Sequence, residues 1–396
     1  MEFPASLFPR PALAPEEVEL LRQVEQASGA FAARAAGYDA SRAFPWENIE
    51  RINALGLNGM FLPEEVGGYP LSYTAYLACL TAISGACAST GLIWATNFHA
   101  MSPVADWGTA EQKQRFLRPV AQGALASLAI TEANSGSSAT GMLTRFRPDG
   151  DDIVIDGEKV FITSGDVSSV FLVFGKWTEL GDGKDAISAL VVEKGASGFE
   201  VVRRERTMGH RASHTTALAF RGCRVPRGNL LGRPGDGVRV LLAALNRSRP
   251  SVAAHALAIA RAALSDLVDH ARQRVVGGKR LIEHQGNRFT VAELAADIAM
   301  CEAMLWNVAA RVGAGATDIG LASAALKLRA GDLAVRAAME AIQIQGGYGY
   351  LEDNRAERLL RDAKLMQIGE GAAEALKDFI GGAFMTDRAA KREAAA

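Results

Sequence analysis

The residue of this sequence best suited to act as a base is Glu370, which stands between Gly369 and Gly371 just before a predicted helix. A carboxylate serves as a base when its surroundings exclude water. A Glu at the start of a helix also stabilises the positive end of the helix dipole, and this structural role is the more common one. The residues around Glu370 therefore leave both roles open.

Three further segments carry more glycine and polar side chains than their predicted structure requires. The turn at 130–138 (ITEANSGSS) combines small residues with hydroxyls, so its backbone amides form either a phosphate site or a plain surface loop. At 161–165 (FITSG) an aromatic residue and a hydroxyl end a strand, where the aromatic ring either covers a planar ligand or belongs to the core. The glycines at 346–349 end a helix and let the backbone approach a ligand or a neighbouring subunit.

Composition excludes several classes of protein. The 396 residues, 49% hydrophobic and 22% charged, are typical of a globular chain with two or three domains. Lys and Arg number 43 against 44 for Asp and Glu, so no net field attracts nucleic acid or an anionic membrane. No apolar run approaches the roughly 18 residues of a membrane span, and the N-terminus lacks the features of a signal peptide, so we expect a cytoplasmic protein. The four cysteines lie far apart, which favours buried thiols over zinc or disulfides.

The chain divides into three predicted parts. Helical periodicity dominates 1–125, short β-branched runs separated by turns follow over 126–235, and Ala- and Leu-rich helical stretches fill 236–396. The Asp156-Gly157 pair predicts a hairpin turn in the middle part. An order of helices, strands and helices excludes a doubly wound sheet, whose elements alternate. We therefore predict an α+β fold: a helical N-terminal domain, a β domain and a C-terminal four-helix bundle.

Four segments resemble signature stretches of the acyl-CoA dehydrogenase family, and the resemblance runs over nearly the whole chain. The stretch at 56–68 (GLNGMFLPEEVGG) is similar to the family's N-terminal pattern, ITEANSGS at 130–137 to its middle-domain pattern, and MGHR at 208–211 to a further recurrent segment. The C-terminal signature is complete, at Gln343, Gly346, Gly347, Gly349, Tyr350, Asp353, Arg358 and Asp362.

The resemblance implies the same three-domain fold with a middle β-barrel, a homotetramer built on the helical bundle, and FAD between the β domain and the bundle. It places Ile130, Thr131 and Ser137 at the flavin or its pyrophosphate, Phe161 against one ring face and Thr163 near N5. From the neighbouring subunit it places Arg274 at the pyrophosphate and Gln343 and Gly347 at the ADP portion, with Gln285 as a weaker candidate. A guanidinium suits phosphate because it binds two oxygens at once.

The family's reaction gives Glu370 a defined role. In this family a base removes the α-proton of an acyl-CoA thioester while the β-hydrogen leaves as hydride to flavin N5, which produces the 2,3-enoyl-CoA. Glu370 matches the family's base, and its amide N–H would hydrogen-bond the thioester carbonyl. Some relatives take their base from the position of Ser248, which cannot serve. Arg249 beside it and Gly371 are the expected supporting residues on the substrate side.

Several positions depart from the family pattern. Those that bear on the cofactor or the pocket are Ser138, Gly277, Gly369, Ala372 and Glu374. Gly369 replaces an aromatic residue and widens the pocket near the reacting carbons. The resemblance also places Trp94 along the acyl channel, where an indole would shorten the acyl chain that fits. Core packing is an equal alternative for Trp94. These features favour a short, branched or ring-bearing acyl group.

Three other activities compete with a dehydrogenase that passes electrons to an electron-transferring flavoprotein. The acyl group could come from a carrier protein, since both substrates present the same pantetheine arm. Relatives of this fold also perform flavin oxidase or N-hydroxylase chemistry, against which Glu370 argues. A non-enzymatic, DNA-associated flavoprotein needs a basic surface, which the net charge of -1 does not favour. The six histidines are mostly isolated and are predicted to be structural, with His284 as the exception.

Overall fold

The computed structural model describes residues 4, 6–136 and 139–385, so Ser137 and Ser138 lie outside the described residues. Helices come first, as predicted. Their starts follow local rules: Pro15 occupies the first helical position of α1, and the Ser72 side chain accepts a hydrogen bond from Ala75 N to cap α3. The N-terminal helices are α1 Pro15–Ser41, α2 Trp46–Ala54, α3 Tyr73–Ala86, α4 Ala88–Trp107, α5 Ala110–Gln112 and α6 Arg118–Ala121.

The middle of the chain is a β domain. Its strands are β1 Ala126–Ala129, β2 Arg145–Asp149, β3 Asp152–Thr163, β4 Val170–Trp177, β5 Ile187–Glu193, β6 Phe199–Glu205, β7 Thr215–Pro226 and β8 Leu230–Leu231. Seven of them pair in the order β6-β7-β3-β2-β4-β5-β8, and β1 runs parallel to β4. The sheet curls on itself, because Phe199 on the edge strand β6 packs against Phe171 on β4 with ring centroids 4.8 Å apart. The apolar residues inside this curl form a core of their own.

Asp156 and Gly157 do not form the predicted hairpin turn. They lie inside β3, where the pairing with β7 shifts register at Gly157 and produces a β-bulge. A Cβ at Gly157 would lie 2.5 Å from Thr144 Oγ1, so glycine is required here for close packing between chain segments. The turn between β2 and β3 lies instead at Gly150, whose φ is 63°.

The C-terminal part is a helical bundle. Its helices are α7 Gly237–Gln273, α8 Gln285–Gly313, α9 Gly320–Gln345, α10 Arg355–Met366 and α11 Ala373–Gly382. A short hairpin of β9 Val275–Val276 and β10 Lys279–Arg280 joins α7 to α8. The central helix α7 packs against α8, α9 and α10, and also against α3 and α4 from the N-terminal part.

The N-terminal helices and the bundle share one hydrophobic core rather than having two separate ones. Many of the buried residues on α7 and α9 are alanines, and small side chains let helix axes approach closely. Helix α7 is long and apolar enough to cross a membrane by length and composition, but 78% of its most apolar window is buried inside the protein. Such burial is what a central core helix shows.

The signature segments of the middle and C-terminal parts touch each other. A Cβ at Gly209 would lie 2.2 Å from the carbonyl oxygen of Arg361, so this glycine lets the β domain rest directly on α10. The next residue, His210, donates its backbone N–H to the Asp362 carboxylate. Arg361 also forms an ion pair of 2.7 Å with Asp39 on α1. These contacts fix the mutual orientation of the three parts around the turn that follows α10.

Candidate active site

The turn between α10 and α11 presents Glu370 to the interior. Glu370 has a φ of 55° and Gly371 a φ of 110°, so both residues adopt left-handed backbone conformations. For Glu this conformation is uncommon and persists only where the surroundings impose it, as they often do at functional sites. The Glu370 side chain is 19% exposed. It precedes α11 instead of lying in its first turn, so the helix-dipole explanation for this residue is weakened.

Two side chains hold this turn in place. Ser248 on α7 donates its hydroxyl to Glu370 Oε2 at 2.7 Å. Lys327 on α9 donates its ammonium group to the carbonyl oxygen of Gly371 at 2.6 Å. Burial lowers the pKa of Lys327 to about 8, and the negative charge of Glu370 opposes this shift. Sequence reasoning treated Ser248 only as a position that cannot carry the base and did not consider Lys327.

His99 on α4 lies against the other oxygen of the carboxylate, with Nδ1 3.8 Å from Glu370 Oε1. Its Nε2 lies 3.0 Å from Ser251 Oγ, which in turn lies 2.9 Å from the Tyr76 hydroxyl. The prediction that the histidines are isolated is therefore wrong for His99. A lone histidine in an apolar helix carries no sequence signal for such a contact, since only the tertiary fold brings α4 to the turn after α10.

Two more histidines form a buried pair. Nε2 of His210 and Nε2 of His255 are 3.0 Å apart, and His255 Nδ1 lies 2.9 Å from Ser84 Oγ. Burial lowers the pKa of both histidines, and also that of His99, below the ordinary value. All three are therefore neutral in the folded protein near neutral pH, and the prediction of isolation is wrong for His210 and His255 as well.

These buried histidines make the stability depend on pH. As pH falls below about 6.5, the unfolded chain binds protons at these positions that the folded chain does not, so the free energy of unfolding decreases. Between pH 7.5 and 5.5 each such histidine lowers the free energy of unfolding by at most about 1.4 kcal/mol, which is an average slope of about 0.7 kcal/mol per pH unit, or about 2 kcal/mol per unit for all three. Urea denaturation between pH 7.5 and 5.5 measures this slope. An unfolding free energy that stays constant or rises toward pH 5.5 would contradict it.

Of the remaining predicted substrate-side residues, Arg249 lies near Glu370 and Trp94 does not contact it in the described structure. Arg249 follows Ser248 on α7 and is half-buried, with its guanidinium carbon 5.6 Å from the centre of the Phe379 ring. Burial lowers the pKa of Arg249, and the charge of Glu370 opposes the shift. Trp94 is 1% exposed, and its ring lies 5.1 Å from that of Tyr76. The indole is thus a core residue, one layer behind the Tyr76–Ser251–His99 chain of contacts.

The predicted flavin-side residues of the β domain converge where β1 and β3 end. Val160 N donates to the carbonyl oxygen of Thr131 at 2.9 Å, so the strand leading to Phe161 lies beside the segment that contains Ile130. The carbonyl oxygen of Thr163 accepts the hydroxyl of Ser127 on β1. Phe161 has a φ of 60° and is 66% exposed, so the alternative that places it in the core is wrong. An exposed aromatic ring on a strained backbone is a surface that a planar ligand covers.

A buried ion pair supports this junction. Lys159 is fully buried, and its ammonium group lies 2.7 Å from Glu132 Oε1 and 2.9 Å from the carbonyl oxygen of Ile130. The Glu132 carboxylate also accepts hydrogen bonds from the backbone N–H groups of Leu143 and Thr144. The pair therefore joins β3 to both ends of the loop after β1. Sequence reasoning missed Lys159, because a lysine within a strand is usually at the surface.

A cavity of about 470 Å³ opens on the bundle between the end of α7 and the end of α9. Arg274 and Gly347 both line it, together with His270, Gln345, Gly346 and Tyr348. Gln343 is exposed two residues before the lining Gln345, and Gln285 is exposed at the start of α8, so neither lines the cavity. A Cβ at Gly346 or Gly347 would meet no atom within 4 Å, which leaves the backbone open to a ligand.

Comparison with known proteins identifies the family. The models of the N-terminal, middle and C-terminal domains of acyl-CoA dehydrogenases match residues 15–124, 127–223 and 235–385. The chain belongs to the acyl-CoA dehydrogenase family. It is therefore an FAD-dependent oxidoreductase that acts on acyl thioesters, and the expected fold and cofactor are confirmed.

Three relatives illustrate the range of this family. An acyl-CoA dehydrogenase of Bacillus subtilis is 37% identical over 333 residues, covering 84% of this chain and 87% of the relative. The solved structure of butyryl-CoA dehydrogenase from Megasphaera elsdenii has a TM-score of 0.91 at 30% identity, covering 98% of this chain and all of that one. The prolyl acyl carrier protein oxidase AnaB has a TM-score of 0.89 at 25% identity, covering 94% of this chain and all of that one.

The residues present fit FAD at both ends of the cofactor. The exposed ring of Phe161, beside Thr131 and Thr163, suits the planar flavin, and the cavity with Arg274 and two glycines suits a pyrophosphate. All residues that line the cavity come from the bundle, so it does not include the flavin-side residues of the same chain. This separation fits the expectation that a neighbouring subunit supplies Arg274.

Replacing Arg274 by Ala is expected to weaken FAD binding about tenfold, because a guanidinium contact to phosphate is a charge-assisted hydrogen bond. FAD content after gel filtration and a titration of the apoprotein with FAD measure the effect. Arg272→Ala is the matched control, since Arg272 is exposed near the same helix end and does not line the cavity. Equal FAD retention in the two variants would contradict a role for Arg274 at the pyrophosphate.

Proposed function

We propose that this protein oxidises short, branched or ring-bearing acyl-CoA thioesters to their 2,3-enoyl-CoA products, with Glu370 as the base that removes the α-proton. The observation that carries the proposal is the placement of the Glu370 carboxylate. It is enclosed but still 19% exposed, it is held by Ser248, and it lies on a strained turn at the family's base position. A carboxylate oriented in this way can take a proton from a substrate bound beside it.

In this mechanism the chain contributes a base, the residues that orient the base, and a hydrogen-bond donor to the thioester carbonyl. Ser248 holds Oε2 and thereby fixes the orientation of the carboxylate that accepts the α-proton. Among the described residues no acceptor pairs with the Glu370 backbone N–H, so this group is available to the thioester carbonyl, where it stabilises the developing enolate. Lys327 holds the Gly371 carbonyl and so helps to fix the turn that carries that N–H. Bound FAD supplies the acceptor for the β-hydrogen.

The size of the acyl group is proposed from the aromatic residues beside the base. Tyr76 and Phe98 stack with ring centroids 4.3 Å apart, Trp94 packs on Tyr76, and Phe61 meets Phe98 edge-on. This packed layer lies next to His99, and we propose that it limits the length of the acyl chain that fits beside the base. The butyryl-CoA specificity that its name gives the Megasphaera elsdenii relative supports a short acyl group here.

A second candidate is a dehydrogenase or oxidase of a carrier-protein thioester. The structural similarity to the prolyl acyl carrier protein oxidase AnaB supports this second candidate. A carrier protein and CoA present the same pantetheine arm, so one pocket could accept either thioester. We further propose an electron-transferring flavoprotein as the electron acceptor, a homotetramer as the assembly and the cytoplasm as the location.

The test is anaerobic stopped-flow spectroscopy of the purified holoenzyme with short, branched, aromatic and long acyl-CoA thioesters. Bleaching of the oxidised flavin band by a short, branched or aromatic acyl-CoA within milliseconds to seconds supports the proposal. A carrier-protein thioester that bleaches the flavin while the matching CoA thioester does not would instead support the second candidate. Preference for long straight chains would contradict the proposed acyl group.

A further inference from the structure

The two oxygens of the Glu370 carboxylate face different partners. Oε2 accepts the Ser248 hydroxyl at 2.7 Å, whereas Oε1 faces Nδ1 of His99 at 3.8 Å. His99 is 5% exposed and lies on α4, most of whose residues are buried. A contact of this length in a substrate-free active site commonly tightens when the substrate binds. The ring nitrogen of His99 that carries the proton therefore determines whether the ring attracts or repels the Glu370 carboxylate.

The neighbouring hydroxyls determine the tautomer of His99. Burial raises the pKa of Tyr76 well above its ordinary value, so its hydroxyl keeps its proton. If His99 carried its proton on Nε2, the lone pair of Nδ1 would point at the carboxylate, which is repulsive. The favourable arrangement has Tyr76 donating to Ser251, Ser251 donating to His99 Nε2, and Nδ1–H directed at Oε1, and the measured distances of 2.9 and 3.0 Å allow it.

We propose that His99 is a positioning residue for the base: its neutral ring, held in the Nδ1–H tautomer by Ser251 and Tyr76, directs Nδ1–H at Oε1 of Glu370 and donates a hydrogen bond to it once bound substrate closes the 3.8 Å gap. This inference rests on the proposed function, in which Glu370 is the base. A donor at Oε1 fixes the rotation of the carboxylate and stabilises its negative charge.

Other charged or titratable groups face the same two residues. Arg249 on α7 and Lys327 on α9 act on Glu370, while Tyr76 on α3 and His255 on α7 lie near His99. Arg249 stays cationic throughout, and Lys327, with a pKa of about 8, titrates on the alkaline side. Burial lowers the pKa of His255 well below the ordinary value, so it stays neutral near neutral pH. The acidic limb of the rate profile therefore reports on the Glu370–His99 contact.

The test compares three variants of the holoenzyme with the wild type. Anaerobic flavin reduction by the preferred acyl-CoA is followed from pH 5.5 to 9. For His99→Leu we expect about tenfold slower reduction at pH 7 and an acidic limb moved up by about one pH unit, because a charge-assisted hydrogen bond is lost. His99→Asn should restore most of the profile, because its amide N–H reaches about as far as Nδ1–H. Ser251→Ala should move the acidic limb in the same direction by less. Without the Ser251 hydroxyl, the proton of His99 can move from Nδ1 to Nε2.

The outcomes separate this inference from the proposed function. If Glu370→Gln abolishes reduction but His99→Leu and His99→Asn both keep the wild-type acidic limb, the positioning role of His99 is overturned and the base assignment stands. If Glu370→Gln retains near-normal rates, the proposed function fails first. Should His99→Leu not fold, Ser251→Ala decides, and an unmoved acidic limb in that variant overturns the inference.

Discussion

Replacing Glu370 by Gln is expected to leave a folded, flavin-containing protein that its substrate reduces at least about a thousandfold more slowly. Gln has nearly the same shape, and its amide oxygen can still accept the Ser248 hydroxyl, so the turn and the pocket persist. What disappears is the carboxylate that we propose as the base for the α-proton, and an amide cannot replace it. Single-turnover flavin reduction under anaerobic conditions measures the loss.

The control for this variant is Glu352→Gln, which makes the same chemical change at an exposed position before α10. It should retain the wild-type rate. If Glu370→Gln were as fast as this control, the α-proton would have to go to another group, and the assignment of Glu370 would be wrong.

Replacing Lys159 by Met is expected to lower the free energy of unfolding by about 3–5 kcal/mol, because it leaves the Glu132 carboxylate buried without its cation. The effect should extend to the cofactor, since the same ammonium group holds the Ile130 carbonyl at the start of the flavin-side loop. Urea denaturation at saturating FAD, together with the FAD content of the purified variant, measures both consequences.

Arg221→Met provides the comparison for Lys159→Met. Arg221 forms an ion pair with Glu200, and both side chains are more than half exposed, so removing that pair should cost less than about 1 kcal/mol. A loss of stability for Lys159→Met no larger than that for Arg221→Met would show that the buried pair contributes no more than a surface pair.

The sequence was sufficient to predict the features that depend on short-range patterns. Helical periodicity and β-branched runs predicted the order of helices, sheet and helices, and the two glycines that flank Glu370 marked the turn that carries it. The Asp156-Gly157 pair shows the limit of local rules. A hairpin turn and a bulge both favour glycine there, and only the close approach of Thr144 in the folded sheet distinguishes them.

The residues that sequence reasoning missed act through tertiary contacts. His99 reaches Glu370 from a helix more than 250 positions earlier in the chain, and Lys159 is buried only because Glu132 and the Ile130 carbonyl surround it. Ser248 was dismissed as a replacement for a base, yet its hydroxyl binds the base that is present. None of these roles has a spacing signal, because the partners belong to different elements and are brought together by packing.

The central claim, that Glu370 removes the α-proton, is tested most directly by hydrogen exchange at the α-carbon. In 3,3-dimethylbutanoyl-CoA the α-carbon carries two hydrogens and the β-carbon none, so proton removal can be observed without oxidation. In D₂O the wild-type holoenzyme should introduce deuterium at the α-carbon, detected by mass spectrometry, while Glu370→Gln should show only the background rate. Equal deuterium incorporation by the two proteins would contradict the claim.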